Sequence, residues 1–236
     1  MALSNSWKKD LMFNSGKGAK HPPLYPNEYL VKCFSSDSYS FLRRHINRVE
    51  DLSTGRAPKV LEVGCFAGNN MRFFLDRGFS VYGCEVSEEI ANVALENLIQ
   101  AGYEDFSVVV GENLKLPFDD EYFDVLVSIN TLHYSFGSEV EKALIEWKRV
   151  LKPGGIIFLE SVGPDHFVRE ASERVELLNW LWGYDDFRKG QNFGFFDDQR
   201  HLEVELKKLF TRVETGRRIE SYPLQALDFL IGIAQK

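Results

Sequence analysis

The sequence predicts an α/β fold, a mostly parallel sheet whose strands alternate with covering helices. Three observations carry this expectation. Val60, Leu61 and Val63 form a short apolar run that stops at Gly64, and Asn70–Leu75 then reads as helix, giving a strand, a glycine turn and a helix in succession. Apolar runs and helical stretches keep alternating as far as Glu160. Pro153–Gly154–Gly155 separates an amphipathic stretch from Ile156–Glu160, where a helix must stop and a buried strand begin.

The bulk properties narrow the possibilities. A chain of 236 residues, 44% of them hydrophobic, suits one α/β domain with appended elements. A net charge of −7 argues against unassisted binding to a nucleic-acid backbone and favours a small-molecule partner, so no nucleic acid is expected. Cys33, Cys65 and Cys84 are odd in number and lack metal-ligand spacing, which predicts free thiols in a reducing compartment and no metal. No apolar run approaches the length of a membrane span, and Met1–Asp10 lacks the apolar core of a signal peptide. A cytoplasmic protein is expected.

Residues 1–57 read as a helical extension that precedes the first strand. His21–Pro26 is too rich in proline for a helix or strand interior. Asn27 is placed to cap a short helix through Phe34, and Asp37 or Ser38 a second one to about Val49. The aromatic residues Tyr25, Tyr29, Phe34, Tyr39 and Phe41 either cover a ligand mouth or dock the extension on the core.

The domain proper spans 58–236. At the turn after the first strand, Gly64 and Gly68 tolerate positive φ and let a ligand approach the backbone, while the next helix offers free N–H groups. Phe66 and Asn69 stand where a dinucleotide-binding G-x-G-x-x-G would have glycine. Glu62, two residues before the turn, repels a pyrophosphate and attracts an ammonium group. The second strand, Phe79–Val86, closes on Glu85, which either accepts hydrogen bonds from both hydroxyls of a ribose or begins the cap of the following helix. Ser87, with Glu88 and Glu89 behind it, starts a helix that runs to Gln100 and stops at Gly102.

Phe106–Val110 is the third strand, and Gly111–Glu112–Asn113–Leu114–Lys115–Leu116–Pro117–Phe118 follows it. Phe123–Asn130 is the fourth, with Thr131–Leu132–His133–Tyr134 at its carboxyl end, where open α/β sheets form their ligand crevice. Asn130 and His133 are therefore the candidates for substrate contact. His133 either takes a proton from the nucleophile or packs as a positioning residue. Glu139–Val150 is an amphipathic helix.

Together these motifs resemble the class I S-adenosylmethionine-dependent methyltransferases. Glu62-x-Gly64-Cys65-x-x-Gly68 is similar to the loop that wraps the methionine part of the cofactor, and Gly111–Phe118 is similar to the segment that holds adenine, with Glu112 in place of the more frequent Asp. Leu151–Gly155 is a frequent structural hallmark of the family. The resemblance covers roughly 58–160 and implies a Rossmann-like doubly wound seven-stranded sheet, order 3-2-1-4-5-7-6 with the last strand antiparallel. It implies S-adenosylmethionine as cofactor, with Glu62, Gly64, Cys65, Phe66 and Gly68 at the methionine end, Glu85 and Val86 at the ribose, Glu112 and Asn113 at adenine, and Asn130 beside them.

Residues 161–198 form an insertion longer than the core fold needs, so substrate choice is expected there. Glu170–Leu178 reads as helix. Trp180, Trp182, Tyr184, Phe187, Phe193, Phe195 and Phe196 make either an acceptor pocket with His166, Arg169 or Arg188 as polar handles, or the insertion's own core, or an oligomer contact. Asp198 is placed to cap a helix over Gln199–Phe210, and Arg212–Ile219 with Leu227–Ala234 reads as a final antiparallel pair. Lys207, Lys208, Arg212, Arg217 and Arg218 alternate with Glu203, Glu205, Glu214 and Glu220, the pattern of a solvated face.

The sequence thus points to methyl transfer onto an oxygen or nitrogen of a small molecule, such as a sugar, a lipid or quinone precursor, or a secondary metabolite. The alternative is a non-catalytic sensor or partner subunit that keeps the cofactor pocket. A nicotinamide-dependent oxidoreductase is disfavoured by Phe66, Asn69 and Glu62. The acceptor and the oligomeric state are beyond the sequence.

Overall fold

The computed structural model describes residues 25–35, 57–183, 190–223 and 225–236. The expected second helix of the extension, with Tyr39 and Phe41, lies outside the described residues, as do Tyr184, Phe187 and Arg188.

Strands β1 (Lys59–Val63), β2 (Ser80–Glu85), β3 (Phe106–Val110), β4 (Phe123–Ile129) and β5 (Leu151–Val162) pair in parallel, β3-β2-β1-β4-β5. β10 (Gln225–Gln235) then adds antiparallel to β5, and β9 (Arg212–Tyr222) closes the edge antiparallel to β10. With the last two strands numbered six and seven in chain order, this is 3-2-1-4-5-7-6, the expected order.

All five residues of β1 are buried, as a central strand covered on both faces requires. On one face pack α1 (Glu28–Ser35), α2 (Asn69–Leu75) and α3 (Glu88–Gln100), through Leu30, Phe34, Phe74, Ala94 and Leu98. Phe34 meets Phe74 edge-on at 5.1 Å, which fixes α1 against α2. On the other face α4 (Glu139–Val150) buries Val140, Ala143, Leu144, Trp147 and Val150 at helical spacing, and α6 (Gln199–Lys207) buries Leu202 and Leu206. Each large apolar side chain so covered contributes about 1.5–3 kcal/mol.

The caps follow the sequence. Asn27 Oδ1 accepts the Leu30 N–H at 2.9 Å, Ser87 accepts from Ile90, and Asp198 accepts from His201. α6 ends at Lys207, three residues short of the expected Phe210, although Phe210 is still buried.

The insertion departs from expectation. α5 is a single turn, Phe167–Glu170, and the expected helix over Glu170–Leu178 is instead a hairpin of β6 (Ser172–Glu176) and β7 (Asn179–Trp182), extended by β8 (Asn192–Phe193). Leu178 takes φ 55 in the turn, a left-handed conformation that no helix contains. The helix-forming Glu173, Arg174 and Glu176 pair across strands because Trp180 and Trp182 anchor β7 on a core of Val162, Val168, Phe193 and Phe195. Tertiary packing overrides local propensity here.

The charges near the C terminus also divide. Lys207 and Lys208 pair with Glu203 and Glu205 at the surface, as expected of a solvated face. Arg217, by contrast, holds the fully buried Asp228 with two hydrogen bonds of 2.8 and 2.9 Å, and Arg218 reaches the fully buried Glu160 at 3.1 Å.

Candidate active site at the carboxyl ends of β1, β2 and β4

β1 runs into a tight loop over residues 64–68. Gly64 takes φ 75 and donates its N–H to the Cys84 carbonyl at 2.8 Å, stitching the loop to β2. A Cβ on Gly64 would lie 2.0 Å from Thr131 Oγ1, so the loop also touches the segment after β4. Gly68, at φ 83, opens α2 without a side-chain cap and leaves the helix's first N–H groups to other acceptors. The Asn97 side chain holds the loop from below through the Ala67 carbonyl at 3.1 Å.

Two buried carboxylates flank this loop. Glu85 Oε1 accepts the Phe66 N–H at 2.7 Å and Oε2 accepts the Val86 N–H at 3.2 Å. Burial pushes its pKa above the usual carboxylate range, and the two N–H groups pull it back. The cap reading is thereby displaced, because Ser87 caps α3. Glu62 is 2% exposed; its Oε1 accepts from Asn70 Nδ2 at 2.7 Å, and Oε2 is buried with no hydrogen-bond partner among the described residues. Burial pushes its pKa up to about 8, with the nearby Glu85 adding to the rise and Asn70 and the Met71 N–H opposing it. Cys65 and Cys84 are buried alongside, and burial pushes the Cys84 thiol up to about 12. They are inert neighbours of the loop.

The other expected residues lie around these two. Val86 is 43% exposed just past β2, and Leu114 is exposed beyond β3. Glu112 faces solvent, while the half-buried Asn113 donates to Ser135 Oγ at 3.2 Å, which ties the segment after β3 to the segment after β4. Asn130 is exposed at φ 54 and donates its backbone N–H to the Glu160 carbonyl at 2.9 Å. A left-handed backbone suits asparagine and turns the chain out of the sheet at the crevice.

His133 lies deeper, 4% exposed, in the short 3-10 turn Leu132–Tyr134. Its ring lies 4.4 Å from that of Tyr134, 5.9 Å from Phe193 and 6.2 Å from Phe195, and its carbonyl accepts the Gly194 N–H at 2.7 Å. Phe193 and Phe195 therefore stack on one another and against His133, with Trp180 beside Phe195 and Trp182 beside Phe193. His166 and Arg169 are likewise engaged: His166 Nδ1 accepts the Val168 N–H, and Arg169 donates to the Phe196 carbonyl at 2.6 Å. Among the described residues no group of three or more His, Cys, Asp or Glu side chains is placed to hold a metal ion.

Three polar residues at this site escape a reading of the motifs. Asn70, Asn27 and Glu160 join Glu62 in one hydrogen-bonded line: Asn27 N–H to Asn70 Oδ1 at 2.7 Å, and Asn27 Nδ2 to Glu160 Oε1 at 3.0 Å. An amide in the first turn after Gly68 is the only local signal. The remaining contacts join residues 43 and 133 positions apart.

Comparison with known proteins agrees with this geometry. Residues 61–159 match the family model described as a methyltransferase domain. Similar proteins include the sterol 4-C-methyltransferase strm-1 of Caenorhabditis elegans, 26% identical over 162 residues, which are 68% of this chain and 46% of that protein. They also include the tRNA (carboxymethyluridine(34)-5-O)-methyltransferase of Arabidopsis thaliana, 29% identical over 127 residues, 53% of this chain and 29% of that one. The chain thus spans less than half the length of these relatives. Among solved structures, the PH0226 protein of Pyrococcus horikoshii shares the fold with a TM-score of 0.60 at 22% identity, covering 88% of this chain and 98% of that one. Sheet order, glycine loop and family match converge: residues 61–159 match a methyltransferase domain, and the fold around them is similar to that of S-adenosylmethionine-dependent methyltransferases.

Proposed function

We propose that the protein transfers a methyl group from S-adenosylmethionine to an oxygen or nitrogen of a small-molecule acceptor. The observation that carries this reading is the pair of buried carboxylates on either side of one glycine loop. Glu62 Oε2 is buried with no hydrogen-bond partner among the described residues, and Glu85 is held in place by two backbone N–H groups. These fit two polar parts of the cofactor: Glu62 would receive its ammonium group and Glu85 its ribose hydroxyls. Val86 and Leu114 offer exposed apolar surface for an aromatic base, and the half-buried Asn113 and exposed Glu112 precede Leu114 in the chain.

When bound, the cofactor supplies an electrophilic methyl on a sulfonium centre. The protein's part is to bind, align and exclude water. Gly64 and Gly68, at φ 75 and 83, shape the loop that carries Cys65 and Phe66 so that a ligand would approach its backbone closely. Asn130 is the exposed polar group at the crevice where an acceptor would meet the methyl. His133 is buried among the rings of Tyr134, Phe193 and Phe195 in the turn after β4, and we assign it positioning rather than proton transfer.

The acceptor is expected to be a sugar, a lipid or quinone precursor, or a secondary metabolite. The acidic chain favours a small molecule over the tRNA named for one relative. No helix among the described residues is long and apolar enough to cross a membrane. Radiolabelled S-adenosylmethionine incubated with panels of hydroxyl, amine, sterol and tRNA acceptors tests the assignment. Label in a small hydroxyl or amine acceptor supports it, and label in tRNA alone overturns the small-molecule part. Binding of S-adenosylhomocysteine with transfer to nothing in any panel would favour the sensor reading.

A further inference from the structure

The line of hydrogen bonds through Asn27 links two carboxylates that no sequence motif connects. Every polar group of Asn27 except its carbonyl is committed to a separate element. Its backbone N–H goes to Asn70 on α2, its Nδ2 to Glu160 on β5, and its Oδ1 to the first turn of α1. Its carbonyl begins α1 by accepting the Val31 N–H at 3.0 Å. Asn70 passes the contact on to Glu62 at 2.7 Å. Next to it, the Tyr25 carbonyl accepts from Asn69 Nδ2 at 3.1 Å, so 25–27 lies along the start of α2. Glu160 is fully buried and is held on its other oxygen by Arg218, which also pairs with Glu220 and lies 4.5 Å over the Phe229 ring. The far end of the line is therefore anchored in the β9–β10 hairpin.

The geometry points to Asn27 as a positioning residue for cofactor binding: through Asn70 it orients the Glu62 carboxylate, and through Glu160 it fixes that orientation to the sheet. This rests on the assignment of Glu62 to the cofactor's ammonium group. An amide is the fitting side chain at position 27, because it donates to one carboxylate while its oxygen caps a helix. Aspartate would cap equally well but set a second negative charge against Glu160. A serine keeps the cap and loses only the bond to Glu160.

The test is calorimetric titration of S-adenosylhomocysteine into the full chain as wild type, Asn27→Ser, Glu62→Gln and the double variant, between pH 6 and 9. Asn27→Ser is expected to weaken binding about tenfold. It should also move the midpoint of the pH dependence upward, because a slackened Asn70 favours ionised Glu62 less. The other groups that face Glu62, Glu85 and Cys65, are unchanged in all four proteins. In the Glu62→Gln background, Asn27→Ser should add nothing, since residues acting through one group are not additive. Equal losses in both backgrounds, or an unmoved midpoint, would reduce Asn27 to a helix cap and overturn the proposal. If Glu62→Gln alone leaves affinity unchanged, the assignment of Glu62 fails instead, a distinguishable result. Should Asn27→Ser fold poorly, Glu160→Gln in the same cycle removes the acceptor charge from the other end of that hydrogen bond and carries the same two outcomes.

Discussion

Glu85 accepts the Phe66 N–H at 2.7 Å, so the carboxylate that ends β2 holds the loop that ends β1. Phe66 itself takes φ 46, an unfavourable backbone for a bulky residue, and the bond to Glu85 helps hold it there. One side chain thereby sets the loop's shape and the surface facing a ribose. Glu85→Ala is expected to weaken S-adenosylhomocysteine binding at least 30-fold, about 2 kcal/mol, by releasing the loop and losing two charge-assisted bonds. Calorimetry checks this, and an unchanged affinity would remove the ribose assignment.

The pH dependence follows from Glu62. Its pKa is raised from 4.5 to about 8, so the folded protein holds a proton that the unfolded chain releases. Its contribution to stability is full below about pH 4.5 and is lost as pH rises through about 8. A bound ammonium group reverses the preference by requiring the ionised form. Affinity for S-adenosylhomocysteine should therefore rise between pH 6 and 8, by up to about tenfold per unit, and Glu62→Gln should flatten the rise. Affinity that falls with pH in this window would contradict the ammonium assignment.

Gly64 tests the loop sterically. A Cβ there falls 2.0 Å from Thr131 Oγ1 and 2.7 Å from Thr131 Cγ2, on a backbone at φ 75. Gly64→Ala should cost about 2–4 kcal/mol in stability and abolish cofactor binding, with Thr131→Gly restoring part of the loss in the double variant. Thermal melts and titration read both effects. Full tolerance of Gly64→Ala would mean that the loop moves freely.

His133 separates packing from proton transfer. In the cluster of Tyr134, Phe193 and Phe195, His133→Ala should lower stability by about 2–3 kcal/mol through the cavity it leaves, and slow transfer without loss of cofactor affinity. His133→Phe refills the space and should recover most turnover. A turnover drop of 100-fold or more in His133→Phe, with an unchanged melting temperature, would restore the histidine to the role of base.

Much of this was legible because the signals are local. The strand ends, Gly64, Gly68, Ser87 and Asp198 each act on their nearest neighbours, and β1 through α4 follow the expected pattern closely. The hairpin over Ser172–Trp182 was not legible, since Glu173 and Arg174 carry helix propensity and only the pairing of Ser172 with Trp182 and the turn at Leu178 make them strand. The alternation of Arg217 and Arg218 with glutamates likewise hides that both guanidinium groups reach buried acids, Asp228 on the neighbouring β10 and Glu160 on β5 one strand further in. Asn27 shows the limit most clearly: its cap was readable three residues away, its bond to Glu160 was not.

The most direct test is a calorimetric titration of the purified protein with S-adenosylmethionine, S-adenosylhomocysteine and NAD. The account predicts micromolar binding of the first two and none of the third. Binding of NAD alone would contradict it.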